Sequence, residues 1–329
     1  MKNLEEAGRE TIAILLATYQ PDPAWLEELL VSLNAQTYPA LRLYVRDDGS
    51  TDESFETTKR LVRKTVTRFP AEIARNEENH GSRETFACLT AEAQGRYFAY
   101  CDQDDVWLPE KLTRQEEAMR REKAALVCSD VCVIDGEGRL LADSITALRK
   151  RHVFLSGEGL APYLLARNFV MGCTLMVDAR LAKAALPFVE GYVHDQWIAA
   201  YAALHGKVIS LKTPLLRYRQ HEGNQTGLLK GVATKADYYA LRIRRPADTL
   251  ESVRRRLTPE ESERAELERL LHDLAVRDAY YTRPGLRSAA ALLQIKELSR
   301  SAKLLELLMP LLSEKGFSRC VALARSGRL

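Results

Sequence analysis

Short apolar runs alternate with amphipathic stretches from residue 11 to residue 121, and this alternation limits the folds that the chain can adopt. The run at residues 11–19 is continuously apolar, which fits a parallel strand buried on both faces. After it, Asp22 is placed to cap a helix that begins at Pro23. Repeated strand–helix units with right-handed crossovers predict an α/β fold, a doubly wound and mostly parallel sheet flanked by helices. Further strands are predicted at 41–45, 72–75 and 97–101, and further helices at about 53–66, 82–93 and 110–121.

Three carboxylates follow directly after the apolar run at residues 97–101. They are Asp102, Asp104 and Asp105, just ahead of Trp107. In open α/β sheets the carboxyl edge of the strands is where ligands bind, and neighbouring carboxylates repel unless a positive charge lies between them. Hard oxygen ligands at short spacing suit Mg²⁺ or Mn²⁺, which often carry substrate phosphates. The alternative is an acidic loop with a helix-capping aspartate.

Two sequence patterns typical of phosphate-binding loops are absent. The turn after the first strand lacks G-x-G-x-x-G, and no G-x-x-x-x-G-K-[ST] segment occurs. The second strand runs instead into Asp47-Asp48-Gly49-Ser50. Any bound phosphates are therefore expected to be held by a metal ion and side chains.

The next hundred residues predict further strands and one short helix. A strand at 125–134 is followed by turn residues that favour a hairpin. Gly172, inside a strand predicted at 170–177, indicates a bulge or the close approach of a ligand. Asp195 stands near the N-terminus of a helix predicted at 198–204. Two short strands are predicted at 208–211 and 215–218.

From residue 228 the pattern becomes entirely helical, with segments at about 236–244, 259–281 and 289–312. We therefore divide the chain into domains 1–227 and 228–329. The second domain holds 20 Lys and Arg against 13 Asp and Glu. This excess favours an anionic neighbour such as a membrane surface, or a solvated helical face. The last helix is expected to pack on the main domain or on a second subunit, giving a homodimer, or to lie on a membrane.

The remaining composition is that of a soluble protein. The six cysteines lack a metal-binding pattern and are expected to be reduced, in a cytoplasmic setting. The first ten residues do not resemble a signal peptide, and no apolar run approaches 18 residues. Any membrane contact is therefore expected to be peripheral, at the inner face of the cell membrane. The basic residues are interspersed with acids and lack aromatic platforms, which argues against nucleic-acid binding.

Four features in a fixed order carry a resemblance to a known family. They are Ala17-Thr18-Tyr19, Asp47 to Asp52, Asp102-Gln103-Asp104-Asp105 and Asp195. Residues 10–227 resemble the family 2 glycosyltransferases with the GT-A fold, and the bacterial rhamnosyltransferase-like group in particular. Asp102 to Trp107, His194 to Trp197 and Arg219 to Asn224 match motifs typical of that group. The chain departs from the group's pattern at Gln20-Pro21 and Thr85-Phe86, near the expected donor pocket.

The resemblance implies roles for individual residues. Asp195 is the implied general base, and Asp104 and His221 are the implied ligands of Mg²⁺ or Mn²⁺. Asp48 is expected at the pyrimidine ring, and Asp102 near the donor ribose or the metal's water shell. The full set implied for nucleotide-sugar binding is Thr18, Tyr19, Asp48, Asp102 and Gln103. The set implied for the acceptor or donor pocket is Trp107, Gly172, His194, Trp197 and Arg219, of which the two tryptophans could equally be core aromatics.

The leading hypothesis is an inverting, metal-dependent glycosyltransferase. It would move rhamnose from dTDP-rhamnose to a cell-surface polysaccharide, such as an O-antigen, or to a lipid-linked acceptor. A UDP-hexose or UDP-N-acetylhexosamine donor is the alternative within the fold. A sugar-phosphate nucleotidyltransferase would need a glycine-rich basic loop after the first strand, which is missing. A non-catalytic membrane-associated scaffold is the remaining alternative.

Overall fold

The computed structural model describes residues 10–150, 152–221, 231–256, 261–296 and 298–325. These residues fall into two compact units. The first contains residues 10–188 and 192–221, and the second contains residues 189–191 and the described residues from 231 onward. The domain boundary predicted between residues 227 and 228, and the motif residue Asn224, lie outside the described residues.

Four parallel strands form the first half of the sheet, in the order β3-β2-β1-β4. The predicted alternation of strands and helices is confirmed here. Asp22 accepts hydrogen bonds from the backbone N–H groups of Ala24 and Trp25, so the first helix begins as expected. The strands are β1 (Ile12–Thr18), β2 (Leu41–Asp47), β3 (Ala71–Arg75) and β4 (Tyr97–Cys101); the helices are α1 (Pro23–Asn34), α2 (Asp52–Thr65) and α3 (Ser82–Glu92).

The second half of the sheet is mixed. Beyond β4 the order continues β8-β6-β9-β5: β8 is antiparallel to both β4 and β6, while β6 and β9 are parallel. The hairpin predicted after the strand at 125–134 is confirmed, since β7 pairs antiparallel with β6. The strands are β5 (Val106–Trp107), β6 (Leu126–Ile134), β7 (Leu140–Ala142), β8 (Met176–Asp178) and β9 (Val208–Arg219). The helices are α4 (Lys111–Glu122), α5 (Ile145–Leu148), α6 (Ala161–Ala166), α7 (Ala179–Ala184) and α8 (His194–Leu204).

Two sequence predictions in this region were wrong. The strand expected at 170–177 is a 3-10 turn over Gly172–Thr174 followed by the short strand β8. The two strands expected at 208–211 and 215–218 form one strand, β9, whose pairing with β6 shifts register near Pro214. Apolar runs alone do not distinguish a strand from a buried turn.

The second unit is helical in its described part, as expected. The helix predicted at 289–312 is wrong, because the chain leaves the helix at Ile295 and Ser299 caps a new one by accepting from the backbone N–H of Ala302. The helices are α9 (Lys235–Tyr239), continued by a π-helical turn at Ala240–Arg244, α10 (Arg245–Arg256), α11 (Glu261–Thr282), α12 (Leu286–Gln294), α13 (Arg300–Leu308), a 3-10 turn at Met309–Leu311, and α14 (Glu314–Arg325).

The core of the first unit lies on both faces of β1. Residues Ile12 to Leu16 have no exposed surface. The apolar stripe of α1 packs in the same cluster as Ile12, Ile14 and Leu16, which share one face of β1. All six cysteines are free thiols, as expected. Among the described helices, none has both the length and the apolar character needed to span a bilayer.

Candidate active site

Asp47 and Thr18 close the loop that follows β2. The hydroxyl of Thr18 donates to Asp47 Oδ2 at 3.0 Å, and the backbone N–H and hydroxyl of Ser50 donate to the same carboxylate at 2.8 and 2.7 Å. Thr18 is 2% exposed. The side chain of Thr18, expected at the nucleotide sugar, therefore braces the loop.

Asp48 is held by the segment that precedes α3. Its Oδ1 accepts from Asn76 Nδ2 at 2.8 Å and from the N–H of His80 at 3.0 Å, and its Oδ2 accepts from the N–H of Gly81 at 2.8 Å. Burial raises the pKa of Asp48, but these hydrogen bonds outweigh burial and lower it overall. Gly49 has φ of +76°, and a Cβ there would lie 2.5 Å from the carbonyl carbon of Glu78, so only glycine fits.

Tyr19 and Gln103 join the loop after β1 to the acidic loop after β4. The N–H of Tyr19 donates to Gln103 Oε1 at 2.7 Å, and Gln103 Nε2 donates back to the carbonyl of Tyr19 at 3.1 Å. Tyr19 is 48% exposed. Its ring is thus exposed at the sheet edge.

Burial and neighbouring charges raise the pKa values of two of the acids after β4, Asp102 and Asp105. Burial, followed by the charges of Asp104 and Asp195, raises the pKa of Asp102 to about 7. Burial, then the charges of Asp104 and Asp102, raises the pKa of Asp105 well above its ordinary value. Asp105 Oδ1 accepts from the N–H of Arg219 at 3.1 Å, and the thiol of Cys173 lies beside the same carboxyl group. A cation at this edge would relieve the repulsion.

Asp104 meets His221 at the end of β9. Asp104 Oδ2 lies 2.7 Å from His221 Nε2, and the imidazole packs against Trp25 with ring centroids 4.9 Å apart. A carboxylate oxygen and an imidazole nitrogen are suitable ligands for Mn²⁺. Within the described chain, Asp102, Asp105 and Cys173 also form a group whose ligand atoms lie within 4.8 Å of one another. The residues present therefore fit a divalent cation.

Arg219 lies inside the protein rather than on a pocket wall. Its side chain is 1% exposed, Nε donates to the carbonyl of Asp104 at 2.9 Å, and one terminal nitrogen donates to the carbonyl of Gly136 at 3.1 Å. It also forms an ion pair with Glu28 on α1. The guanidinium therefore fixes the acidic loop, the hairpin turn and α1 relative to one another.

Behind the acids lies a buried lysine that the sequence pattern did not indicate. Lys111 has no exposed surface, donates to Gln115 Oε1 at 3.0 Å and lies 3.8 Å from the centroid of a Trp107 ring. Burial lowers the pKa of Lys111 to about 8. Trp107 is 2% exposed within the apolar core, which supports its alternative interpretation as a core aromatic. In the sequence, Lys111 looks like an ordinary surface residue of a first helical turn.

Asp195 occupies the first turn of α8. Its Oδ2 accepts from the N–H of Gly172 at 2.9 Å and its Oδ1 accepts from Asn168 Nδ2 at 3.1 Å. Burial raises the pKa of Asp195 to about 6, against the opposing effect of its hydrogen bonds from Gln196, Gly172 and Asn168. A carboxyl group with this pKa is largely ionised at neutral pH and still accepts protons readily.

Gly172 lies between Asp195, to which its N–H donates, and the ring of His194. The His194 ring stacks on Phe86 with centroids 4.0 Å apart, and burial lowers the pKa of His194 to about 3, so the imidazole is neutral. A Cβ on Gly172 would lie 2.9 Å from His194 Nε2, which explains a glycine at this point. Trp197 has no exposed surface and donates from Nε1 to the carbonyl of Ala185 at 2.8 Å, so it is a core aromatic.

Comparison with known sequences finds a matching family and several similar proteins. The sequence profile of the family described as Glycosyl transferase family 2 matches residues 13–178. An uncharacterized glycosyltransferase of Nostoc is 27% identical over 220 residues, covering 65% of this chain and 66% of that protein. A Rickettsia conorii glycosyltransferase is 24% identical, covering 58% of this chain but 31% of its own length. An Escherichia coli UDP-Glc:alpha-D-GlcNAc-diphosphoundecaprenol beta-1,3-glucosyltransferase, WfaP, is 26% identical, covering 35% of this chain and 43% of that protein.

Solved structures share the fold. TarS of S. aureus in complex with UDP-GlcNAc is 16% identical, with a TM-score of 0.61 covering 97% of this chain and 92% of that one. The mannosyltransferase PcManGT of Pyrobaculum calidifontis, in complex with GDP-Man and Mn²⁺, is 17% identical with a TM-score of 0.53, and the superposition covers 98% of this chain and 88% of that one. The expected GT-A fold with C-terminal helices is confirmed.

Proposed function

Because the chain belongs to glycosyltransferase family 2, we propose that it transfers a sugar from a nucleoside diphosphate to a hydroxyl group of an acceptor, with inversion at the anomeric carbon. The observation that carries the proposal is the convergence of acids from two distant stretches. The turn at Gly172–Thr174 links them, because the N–H of Gly172 donates to Asp195 and the thiol of Cys173 lies within 4.8 Å of carboxylate oxygens of Asp102 and Asp105. The charge of Asp195 also contributes to the raised pKa of Asp102. In such a pair Asp195 can accept the proton of the acceptor hydroxyl, and Asp102 can bind the nucleotide sugar.

Asp195 acts as the general base in this proposal. It takes the proton of the acceptor hydroxyl while the oxygen forms its bond to the anomeric carbon and the bond to the diphosphate breaks. The hydrogen bonds from Gly172 and Asn168 orient the carboxylate, and its pKa of about 6 suits proton transfer near neutral pH. The imidazole of His194, next to Gly172, is neutral, so it adds no positive charge beside the base.

Asp104 and His221 hold the divalent cation in the proposal, with Asp102 at the donor ribose or in the cation's water shell. When bound, Mg²⁺ or Mn²⁺ neutralises the charge on the departing diphosphate. Asp48 and Tyr19 receive the nucleotide base. The hydrogen bonds that lower the pKa of Asp48 keep it ionised near neutral pH, so it can accept a hydrogen bond from a pyrimidine N–H.

For the donor we propose dTDP-rhamnose, since the chain carries His194-Asp195-x-Trp197 and Arg219-Gln220-His221 in the order of the rhamnosyltransferase-like group. The acceptor is a polysaccharide or lipid-linked glycan. A UDP-hexose or UDP-N-acetylhexosamine donor is the second candidate. Two similar proteins support this candidate: the E. coli transferase is named for UDP-Glc, and TarS was solved in complex with UDP-GlcNAc.

A thermal-shift screen against dTDP, UDP, GDP and CMP, each with Mn²⁺ or with EDTA, tests the proposal. A ligand that binds only the native state raises its melting temperature, by an amount that grows with ligand concentration over Kd. The largest Mn²⁺-dependent shift is expected with dTDP, while a preference for UDP selects the second donor. No shift with any nucleotide contradicts the proposal and leaves the scaffold alternative.

A further inference from the structure

Helix α13 presents leucines outward and its acid inward. Leu304, Leu308 and Leu311 lie on one side of α13 and the turn after it, and they are 52%, 40% and 83% exposed. Glu306 is 3% exposed and accepts hydrogen bonds from Arg277 and from the hydroxyl of Tyr238. A helix on a protein surface in water normally shows the opposite distribution, with apolar residues inside and charges outside.

Helix α12 repeats this arrangement and contacts α13. Leu286 is 93% exposed and Leu293 is 53% exposed, seven residues apart and hence on one side of the helix. Leu292 and Ile295 point inward and are 0% and 5% exposed, so the helix is already packed on its inner side. We call the exposed leucines of the two helices the leucine face: Leu286, Leu293, Leu304, Leu308 and Leu311.

Most of the exposed charged residues near the leucine face are basic. In the described part of residues 283–315, the exposed ionisable side chains are five basic ones, Arg283, Arg287, Lys296, Arg300 and Lys315, and one acid, Glu314. Across residues 283–329 the sequence has nine Lys and Arg against three Asp and Glu. One of these three acids is Glu306, which is buried. The leucines are therefore accompanied by a net positive charge.

We propose that the leucine face docks the protein onto an anionic phospholipid surface. Leucines enter the boundary between headgroups and acyl chains, while neighbouring Lys and Arg bind anionic headgroups. A second copy of the chain is a poorer occupant. A symmetric dimer through the same face would bring two sets of basic residues together, and like charges across an interface oppose association. The surface lies within the second unit and does not depend on the transfer reaction.

Flotation of the full chain with vesicles tests the proposal. Neutral phosphatidylcholine vesicles are compared with vesicles containing about one quarter phosphatidylglycerol. Binding to the anionic vesicles is expected to exceed binding to the neutral ones by about tenfold or more at low salt, and to weaken as salt rises. Equal binding to both, or no binding to either, overturns the proposal.

Two double variants separate the leucine face from exposed leucines in general. Leu286→Ser with Leu311→Ser removes the two most exposed leucines of the face, and binding is expected to fall by about tenfold or more. Leu140→Ser with Leu141→Ser is the control, because these residues on β7 are 58% and 51% exposed but lie in the first unit. Equal losses in both double variants would overturn the assignment.

The charge contribution has its own matched pair. Arg287→Gln with Arg300→Gln is expected to weaken binding to the anionic vesicles and reduce its salt dependence. Arg120→Gln with Arg121→Gln, on exposed positions of α4, removes the same charge elsewhere and is expected to retain binding. Gel filtration completes the test. A dimer that dissociates in the Leu286→Ser and Leu311→Ser variant would show that a second copy covers the face, contrary to the proposal.

Discussion

Replacing Asp195 by asparagine tests whether this carboxylate is held ionised against the effect of burial. Asparagine keeps the shape of the side chain and still accepts from Gly172, but it carries no charge and does not titrate. In the wild type, burial raises the pKa of Asp195 to about 6. The substitution should therefore remove the pH dependence that this carboxyl group gives to the free energy of unfolding, and it also removes the proposed base.

The magnitude follows from the pKa shift. An unfolded aspartate has a pKa of about 3.9, so the shift to about 6 corresponds to about 3 kcal/mol. Because the folded pKa is raised, this contribution to stability is fully present below about pH 4 and is lost as the pH rises through about 6. Between pH 5 and pH 8 the wild type should lose about 1.4 kcal/mol that the Asp195→Asn variant keeps. Loss of the Asp195 charge also lowers the pKa of Asp102, which acts in the same direction.

Urea unfolding of both proteins at pH 5 and pH 8, in EDTA, measures this difference. Asp143→Asn is the control, since it removes a carboxylate from an exposed position of the same unit. We expect the free energy of unfolding of the Asp195→Asn variant minus that of the wild type to increase from pH 5 to pH 8, and the same difference for the control to stay constant. A difference for Asp195→Asn that is constant or decreases with pH would refute the assignment of a raised pKa to this residue.

Four further predictions follow from the same geometry. The wild-type kcat/KM for transfer should rise with pH through about 6, because Asp195 must be ionised to act as base; a flat profile from pH 5 to 8 would contradict this. Asp104→Asn should raise the Mn²⁺ concentration needed for half-maximal nucleotide binding by about tenfold or more, measured by calorimetry, and an unchanged requirement removes it from the ligands. Gly172→Ala should lower the free energy of unfolding in urea by about 1–3 kcal/mol, because the added Cβ would lie 2.9 Å from His194 Nε2. An unchanged midpoint of unfolding would show that the turn accommodates the methyl group. Arg219→Lys should lower the free energy of unfolding by about 2 kcal/mol or more, because lysine cannot replace the several hydrogen bonds of the buried guanidinium. A variant as stable as the wild type would contradict the structural role of Arg219.

The fold of the first unit follows closely from the sequence because its signals are local. Continuous apolar runs form β1 and β4, and the cap at Asp22 defines the start of α1. The apolar stretch at 170–177 shows where local signals fail. Gly172 turns there so that its N–H reaches Asp195, a contact between residues 23 positions apart that periodicity does not reveal.

The sequence indicated which site residues to consider but not which way their side chains face. Trp107 and Arg219 belong to motifs that resemble those of the family and were expected at a pocket, yet both are buried. Lys111 was missed because a lysine in the first turn of a helix looks solvent-exposed. Burial of a charged or aromatic side chain depends on what several distant elements pack around it, and no short stretch of sequence specifies that.

The central claim is tested most directly by the release of nucleoside diphosphate from a sugar nucleotide, with water as the acceptor. The wild type and Asp195→Asn are each incubated with dTDP-rhamnose, UDP-glucose or UDP-N-acetylglucosamine in Mn²⁺, and nucleotide binding is measured in parallel. The account predicts Mn²⁺-dependent release by the wild type with one donor. For Asp195→Asn it predicts release lower by about 10²- to 10⁴-fold, with nucleotide affinity nearly unchanged. Equal release by the two proteins, or no release and no nucleotide binding by the wild type, would contradict it.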